Sequence, residues 1–139
     1  MKATELRIGN LVTHNYREDE VFSLSGFILY KLTVTENTGD ELFCKPITLT
    51  EEWLLRFNFK PYCYLFNGEL LTGYIPFNLF FHEENTYIVQ KYESKYYVMT
   101  NGENRQIVSD GFEYVHQLQN IFFALTQKEL NINSKQHTP

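Results

Sequence analysis

Hydrophobic and polar positions alternate with a period near two along much of this chain, and the period lengthens to three and four in two places. Leu6 and Ile8 alternate with polar neighbours before Gly9-Asn10 interrupts and Leu11-Val12 resumes, a pattern that predicts a bulge or sharp bend early in the chain. Asn15 to Glu20 reads as a loop. The run from Val21 to Thr35 is dense in β-branched and aromatic residues and too long for one strand, so it predicts two strands broken at Ser25-Gly26. Asn37-Thr38-Gly39-Asp40 is a turn cluster, and Leu42-Phe43-Cys44 begins another short strand. Later, Tyr62–Phe66 and Glu69–Thr72 flank Asn67-Gly68, a strong hairpin pair. Gly73 and Pro76 break the pattern, Phe77–His82 is a further strand candidate, and Tyr87–Tyr92 and Lys95–Thr100 pair across Glu93-Ser94. Asn101-Gly102 turns the chain toward Arg105–Val108.

Two stretches carry helical spacing. Thr50 is placed to cap a helix, Glu51 and Glu52 follow where the helix dipole favours negative charge, and Asn58 tolerates the left-handed conformation that ends it. This short helix presents Trp53, Leu54 and Phe57. Near the end, Val115, Leu118, Phe122 and Leu125 recur at intervals of three and four, which predicts an amphipathic helix covering a sheet. The polar tail from Asn131 has no periodicity.

The fold expected from this pattern is α+β. Residues 1–45 form an N-terminal β-meander or bent barrel. Residues 46–130 form a short linking helix and an antiparallel sheet packed by the C-terminal helix, and 131–139 form a tail; one core shared by both β parts is the alternative. A length of 139 residues suffices to bury a core without disulfides or metal. Aromatic residues are abundant, with 12 Phe and 10 Tyr, which favours aromatic packing on a sheet and contact surfaces that use tyrosine. The net charge of −5 disfavours broad phosphate-backbone binding. Cys44 and Cys63 form no C-x-x-C and read as buried free thiols, with a disulfide as the alternative. No apolar leader and no run long enough to span a bilayer occur, so a cytoplasmic location is expected, with no membrane.

Candidate chemistry is sparse. His14, His82, His116 and His137 stand at no metal-ligand spacing, and phosphate-loop, dinucleotide and nucleophile-elbow motifs do not occur, so no catalytic residue, cofactor or metal site is assigned. Tyr87, Tyr92, Tyr96 and Tyr97, with Lys91 and Lys95 between them, are candidates for an interaction surface; stacking on nucleic-acid bases is a weaker reading, because Glu93 interrupts the positive charge. On the last helix, His116, Gln119 and Asn120 are more specific than a solvated face requires and complete the candidate set.

Three blocks, Glu5-Leu6-Arg7-Ile8-Gly9-Asn10-Leu11-Val12, Lys45-Pro46-Ile47-Thr48-Leu49-Thr50-Glu51-Glu52-Trp53-Leu54-Leu55, and Tyr114-Val115-His116-Gln117-Leu118-Gln119-Asn120 with Phe123-Ala124-Leu125-Thr126, resemble a family of small proteins found in gut-type anaerobic bacteria and in their prophages and mobile elements. That family often has Gly where Asn58 and Gln127 stand here, both at helix ends. The resemblance implies a phage or mobile-element setting and carries over no activity, cofactor or catalytic residue. The expected function is a non-enzymatic protein–protein interaction module with a protein partner or self-association. Nucleic-acid binding through the N-terminal β barrel and an enzyme of unknown type are the alternatives.

Overall fold

The computed structural model describes residues 1–76, 87–102 and 104–132. It is an α+β protein, with a three-stranded and a four-stranded antiparallel sheet and three α-helices among those residues. The chain divides into two compact units. The first comprises Met1–Leu49 and Tyr114–Glu129; the second comprises Thr50–Glu113 and the residues from Leu130. The last helix therefore belongs with the N-terminal strands, whereas its sequence pattern had placed it with the second sheet. No helix among the described residues is long and apolar enough to cross a membrane.

In the first unit, a single 3-10 turn at Ala3–Glu5 precedes β1 (Leu11–His14), β2 (Arg17–Ser23), α1 (Gly26–Thr38), β3 (Cys44–Lys45) and, from the far end of the chain, α3 (Val115–Thr126). The sheet order is β2-β1-β3. The Gly9-Asn10 signal marks a tight turn: Gly9 has φ +92°, and the Asn10 amide N donates to the Arg7 carbonyl at 3.0 Å. Helix α1 corrects the expectation of two strands between Val21 and Thr35 and of a meander or barrel over residues 1–45. The Ser25 hydroxyl accepts the Ile28 N–H at 3.2 Å, and Gly39 ends the helix at φ +80°. Three threonines are tolerated inside it because their hydroxyls bond back to backbone carbonyls, Thr33 to Leu29, Thr35 to Lys31 and Thr38 to Thr35. The inner face of α1 buries Leu32 in a core with Ala3, Leu6, Val12, Leu24 and Cys44.

In the second unit, α2 (Glu51–Arg56) leads into β4 (Phe59–Phe66), β5 (Glu69–Pro76), β6 (Tyr87–Tyr92) and β7 (Lys95–Thr100), paired in that order. Thr50 caps α2 through its hydroxyl, and Asn58 takes φ +67° just after it, as the sequence pattern implied. The Asn67-Gly68 and Glu93-Ser94 turns form the two hairpins. Pro61 is accommodated because β4 is an edge strand, and Pro76 closes β5 rather than breaking it earlier. Gly73 is required by close packing: a Cβ there would lie 2.6 Å from Ile88 Cγ2 and 3.0 Å from the Val89 carbonyl oxygen. The strand expected at Phe77–His82, the turn at Glu83–Asn85 and the tail beyond Ile132 lie outside the described residues.

Candidate binding surfaces

Residues opposite one another in antiparallel strands share a face of the sheet, so the register sorts the candidate tyrosines. Gln90 pairs with Tyr97 and Tyr92 with Lys95, which puts Tyr92 and Tyr97 on one face. Lys91 pairs with Tyr96 and Tyr87 with Thr100, which puts Tyr96 and Tyr87 on the other. The four therefore do not form one surface. Tyr96 is buried against Phe112, with ring centroids 6.2 Å apart. On that same face the Tyr74 hydroxyl donates to Glu51 of α2. Burial first, then the Glu51 carboxylate, pushes the Tyr74 phenol up to about 12, and the same two causes raise Tyr96. Both hydroxyls stay protonated, and that of Tyr74 ties α2 to the sheet.

The face of Tyr92 and Tyr97 is concave. A cavity of about 470 Å³ opens there, walled by Tyr64, Phe66, Leu71, Tyr92, Tyr97 and Met99. The Tyr64 hydroxyl donates to Gln90 Oε1 at 2.7 Å and lies 3.3 Å from Met99 Sδ, and burial raises its pKa. Arg105 reaches over the Tyr64 ring, 5.3 Å from its centroid, and donates to the Leu65 carbonyl and to Asn101 Oδ1, each at 3.2 Å. That guanidinium links the segment after β7 to β4 beside the cavity.

His116, Gln119 and Asn120 do lie together, but their polar atoms face the protein. Gln119 accepts the Leu11 N–H at 2.8 Å and donates to the Gly9 carbonyl at 3.2 Å. The Asn120 Oδ1 accepts from Arg7 Nε at 3.1 Å and from Asn10 Nδ2 at 2.8 Å, while its Nδ2 donates to the Glu5 carbonyl at 3.0 Å. These two side chains clamp the Glu5–Leu11 turn onto α3. Arg7 adds a contact over the Phe123 ring at 4.3 Å and an ion pair with Glu129. The Val115 N–H donates to the Ile47 carbonyl at 2.9 Å, and Thr48 bridges Tyr114. The Glu5–Leu11 turn, the Ile47-Thr48 segment and the start of α3 thus meet in the first unit. His116 is 1% exposed and stacks on Tyr114 with ring centroids 5.9 Å apart. Neither of its ring nitrogens meets a hydrogen-bond partner among the described residues. Glu5 Oε2 is 4.0 Å from its Nε2. Burial lowers the imidazole pKa; Glu5 opposes that shift and the terminal amine adds to it.

The surface that the periodicity did not reveal is the outer side of α1. Phe27, Tyr30 and Val34 follow one another at spacings of three and four and are 67%, 66% and 44% exposed. Ile8, 58% exposed, continues the strip: its Cδ1 lies 3.5 Å from where a Cβ on Gly26 would stand. Beside this ridge runs a groove of about 710 Å³ whose lining adds Ile28, Lys31, Thr35 and Phe43 to the ridge residues. The signals that could have found this helix were its caps, Ser25 and Gly39, since the residues between them look like strand.

The two cysteines differ. Burial pushes the Cys44 thiol up to about 11, whereas Cys63 is exposed on β4. No group of three or more His, Cys, Asp or Glu side chains able to hold a metal occurs among the described residues. Comparison with protein-family models, with curated proteins and with solved structures found no match for this chain.

Proposed function

We propose that this chain is a protein–protein interaction module without enzymatic activity of its own, and that the outer face of α1 is its contact surface. The observation that carries this reading is a helix apolar on both sides with only one side covered. A helix of that kind is ordinarily buried all round, because apolar surface left in water costs about 25 cal/mol for each Å². Ile8, Phe27, Tyr30 and Val34 together leave roughly 400–450 Å² open, the size of the largest apolar patch on a typical monomer, which is often functional. The setting suggested by the resemblance, an accessory protein of a phage or mobile element, is compatible with such a role.

Photo-crosslinking tests the reading. A photoreactive phenylalanine analogue replaces Tyr30 in the full chain in its native cells, and a control carries it at Tyr16, which is 82% exposed. The expected result is a discrete protein adduct from position 30 that is missing from the control. Equal, diffuse labelling from both positions would remove the reading, and an adduct containing nucleic acid would replace it with the nucleic-acid alternative.

A further inference from the structure

The partner's chemistry follows from what else its contact must cover. Resting on the reading above, we infer that the outer face of α1 receives an amphipathic helical segment of a different protein, one that carries a carboxylate beside its apolar stripe. Three features of the surface lead there.

The first is backbone satisfaction. The outer face belongs to an α-helix, whose main-chain N–H and C=O groups are spent within the helix and its caps. Such a surface offers no open strand edge. A β-strand laid against Phe27, Tyr30 and Val34 would find no main-chain partner there. A helix brings its backbone already paired, and the ridge from Phe27 to Val34, about 10 Å long, matches two helical turns.

The second is charge. Lys31 is the one charged residue among those lining the groove. Its ammonium sits 4.9 Å from the centre of the Phe27 ring, on the flank of the ridge. Whatever covers Phe27 and the groove also takes water from Lys31. An ammonium stripped of water must be given an opposite charge or acceptors, and the Phe27 ring face supplies only part of that. Glu36, on the same helix, is already engaged by the Ala3 N–H. The complementary carboxylate therefore has to come from the partner.

The third excludes a second copy of this chain. In an antiparallel self-pair, Phe27 of one copy would face Val34 of the other about a two-fold axis near Tyr30 and Lys31. That symmetry carries Lys31 of one copy to the opposite side of the axis at the same height, so the two ammoniums lie across the axis from each other. Each copy also carries a net charge of −5, and the open apolar area is about half of the ~800 Å² per partner that stable complexes bury. A partner that carries a carboxylate opposite Lys31 removes the ammonium–ammonium juxtaposition, and one larger than a single helix can add polar contacts around the apolar strip.

The test is selection from a display library of helical peptides against the full wild-type chain, Lys31→Glu, and the double variant Phe27→Ser/Tyr30→Ser, with the melting curve of each recorded as a check on folding. Wild type should enrich peptides with an apolar stripe and a flanking Glu or Asp. Those peptides should bind Lys31→Glu at least ~10-fold more weakly, and selection on Lys31→Glu should switch the flank to Lys or Arg. The double variant should enrich nothing. Peptides that require Phe27 and Tyr30 but are indifferent to Lys31 would overturn the carboxylate assignment and leave the contact surface standing. Failure to enrich on wild type, or enrichment unaffected by Phe27→Ser/Tyr30→Ser, would overturn both. A dimer of wild type in sedimentation that dissociates in the double variant would make the occupant a second copy and overturn the inference.

Discussion

Helices α1 and α3 lie in the same unit and have nearly the same length, 13 and 12 residues, yet they use their side chains in opposite senses. Helix α3 turns apolar residues inward and then sends polar ones after them: Val115, Leu118 and Phe122 are fully buried, and so are His116 and Gln119. Helix α1 buries Leu32 and leaves Phe27, Tyr30 and Val34 in water. One helix has polar groups inside and the other has apolar groups outside. For Gln119 the first departure is resolved within the chain, by its bonds to Leu11 and Gly9, while the ring nitrogens of His116 meet no hydrogen-bond partner among the described residues. The second has no such resolution within its own unit, and for that reason the contact surface is assigned to α1.

The contrast can be broken at several points. The largest effect belongs to the inner face of α1: Leu32→Ala should lower stability by about 2–5 kcal/mol in urea unfolding, as for any large-to-small change in a packed core. A value within a few tenths of wild type would mean that α1 is not anchored as described. Next comes the clamp. Gln119→Ala leaves the half-buried Leu11 N–H and Gly9 carbonyl without their side-chain partner and should cost about 1–3 kcal/mol. Gln119→Glu keeps an acceptor for Leu11 but sets a buried carboxylate against the Gly9 carbonyl, so it should cost at least as much as Gln119→Ala. If both variants unfold like wild type, the clamp is ornamental.

His116 sharpens the account of α3 through pH. Its folded pKa lies below the ordinary 6.5, so the unfolded chain takes up the proton more readily than the folded one. The contribution of the neutral imidazole is complete above 6.5 and is lost as pH falls below 6.5 toward the depressed folded value. Urea midpoints should therefore drop between pH 7.5 and pH 5 by more in wild type than in His116→Phe, which keeps a ring against Tyr114. Equal drops would show that Glu5 compensates the buried charge fully. The smallest effect has the opposite sign. Gln127 ends α3 at φ +60°, a conformation that costs a side-chain-bearing residue about 1–2 kcal/mol and glycine little. After the extra entropy of an unfolded glycine, Gln127→Gly should raise stability by up to ~1 kcal/mol, read as a higher melting temperature.

These two helices also show how much the sequence could say. The α+β class, the cap and end of α2, and the hairpins at Asn67-Gly68 and Glu93-Ser94 were legible because each rests on local chemistry. The apolar stripe of α3 was legible, but its role was not, because periodicity says that a face is buried and not what buries it. Helix α1 was hidden for a physical reason. Phe27, Ile28, Tyr30, Thr33, Val34 and Thr35 favour strands, and apolar residues on both sides erase the three-and-four rhythm. Only Ser25 and Gly39, read as a break and a turn, held the information. The tyrosine cluster failed differently. Tyr96 and Tyr97 are adjacent in sequence and therefore point to opposite faces, so a list of neighbouring tyrosines cannot be one surface.

The central claim is that the outer face of α1 serves contact and not stability. Phe, Tyr, Val and Ser have similar helix propensities, so Phe27→Ser/Tyr30→Ser/Val34→Ser removes apolar surface with little change in the helix itself. Equilibrium urea unfolding of this triple variant is the direct measurement. The account predicts stability within about 0.5 kcal/mol of wild type for each substitution, as at ordinary surface positions. A loss of several kcal/mol, comparable to Leu32→Ala, would show that these side chains are packed in the native protein and would contradict the claim.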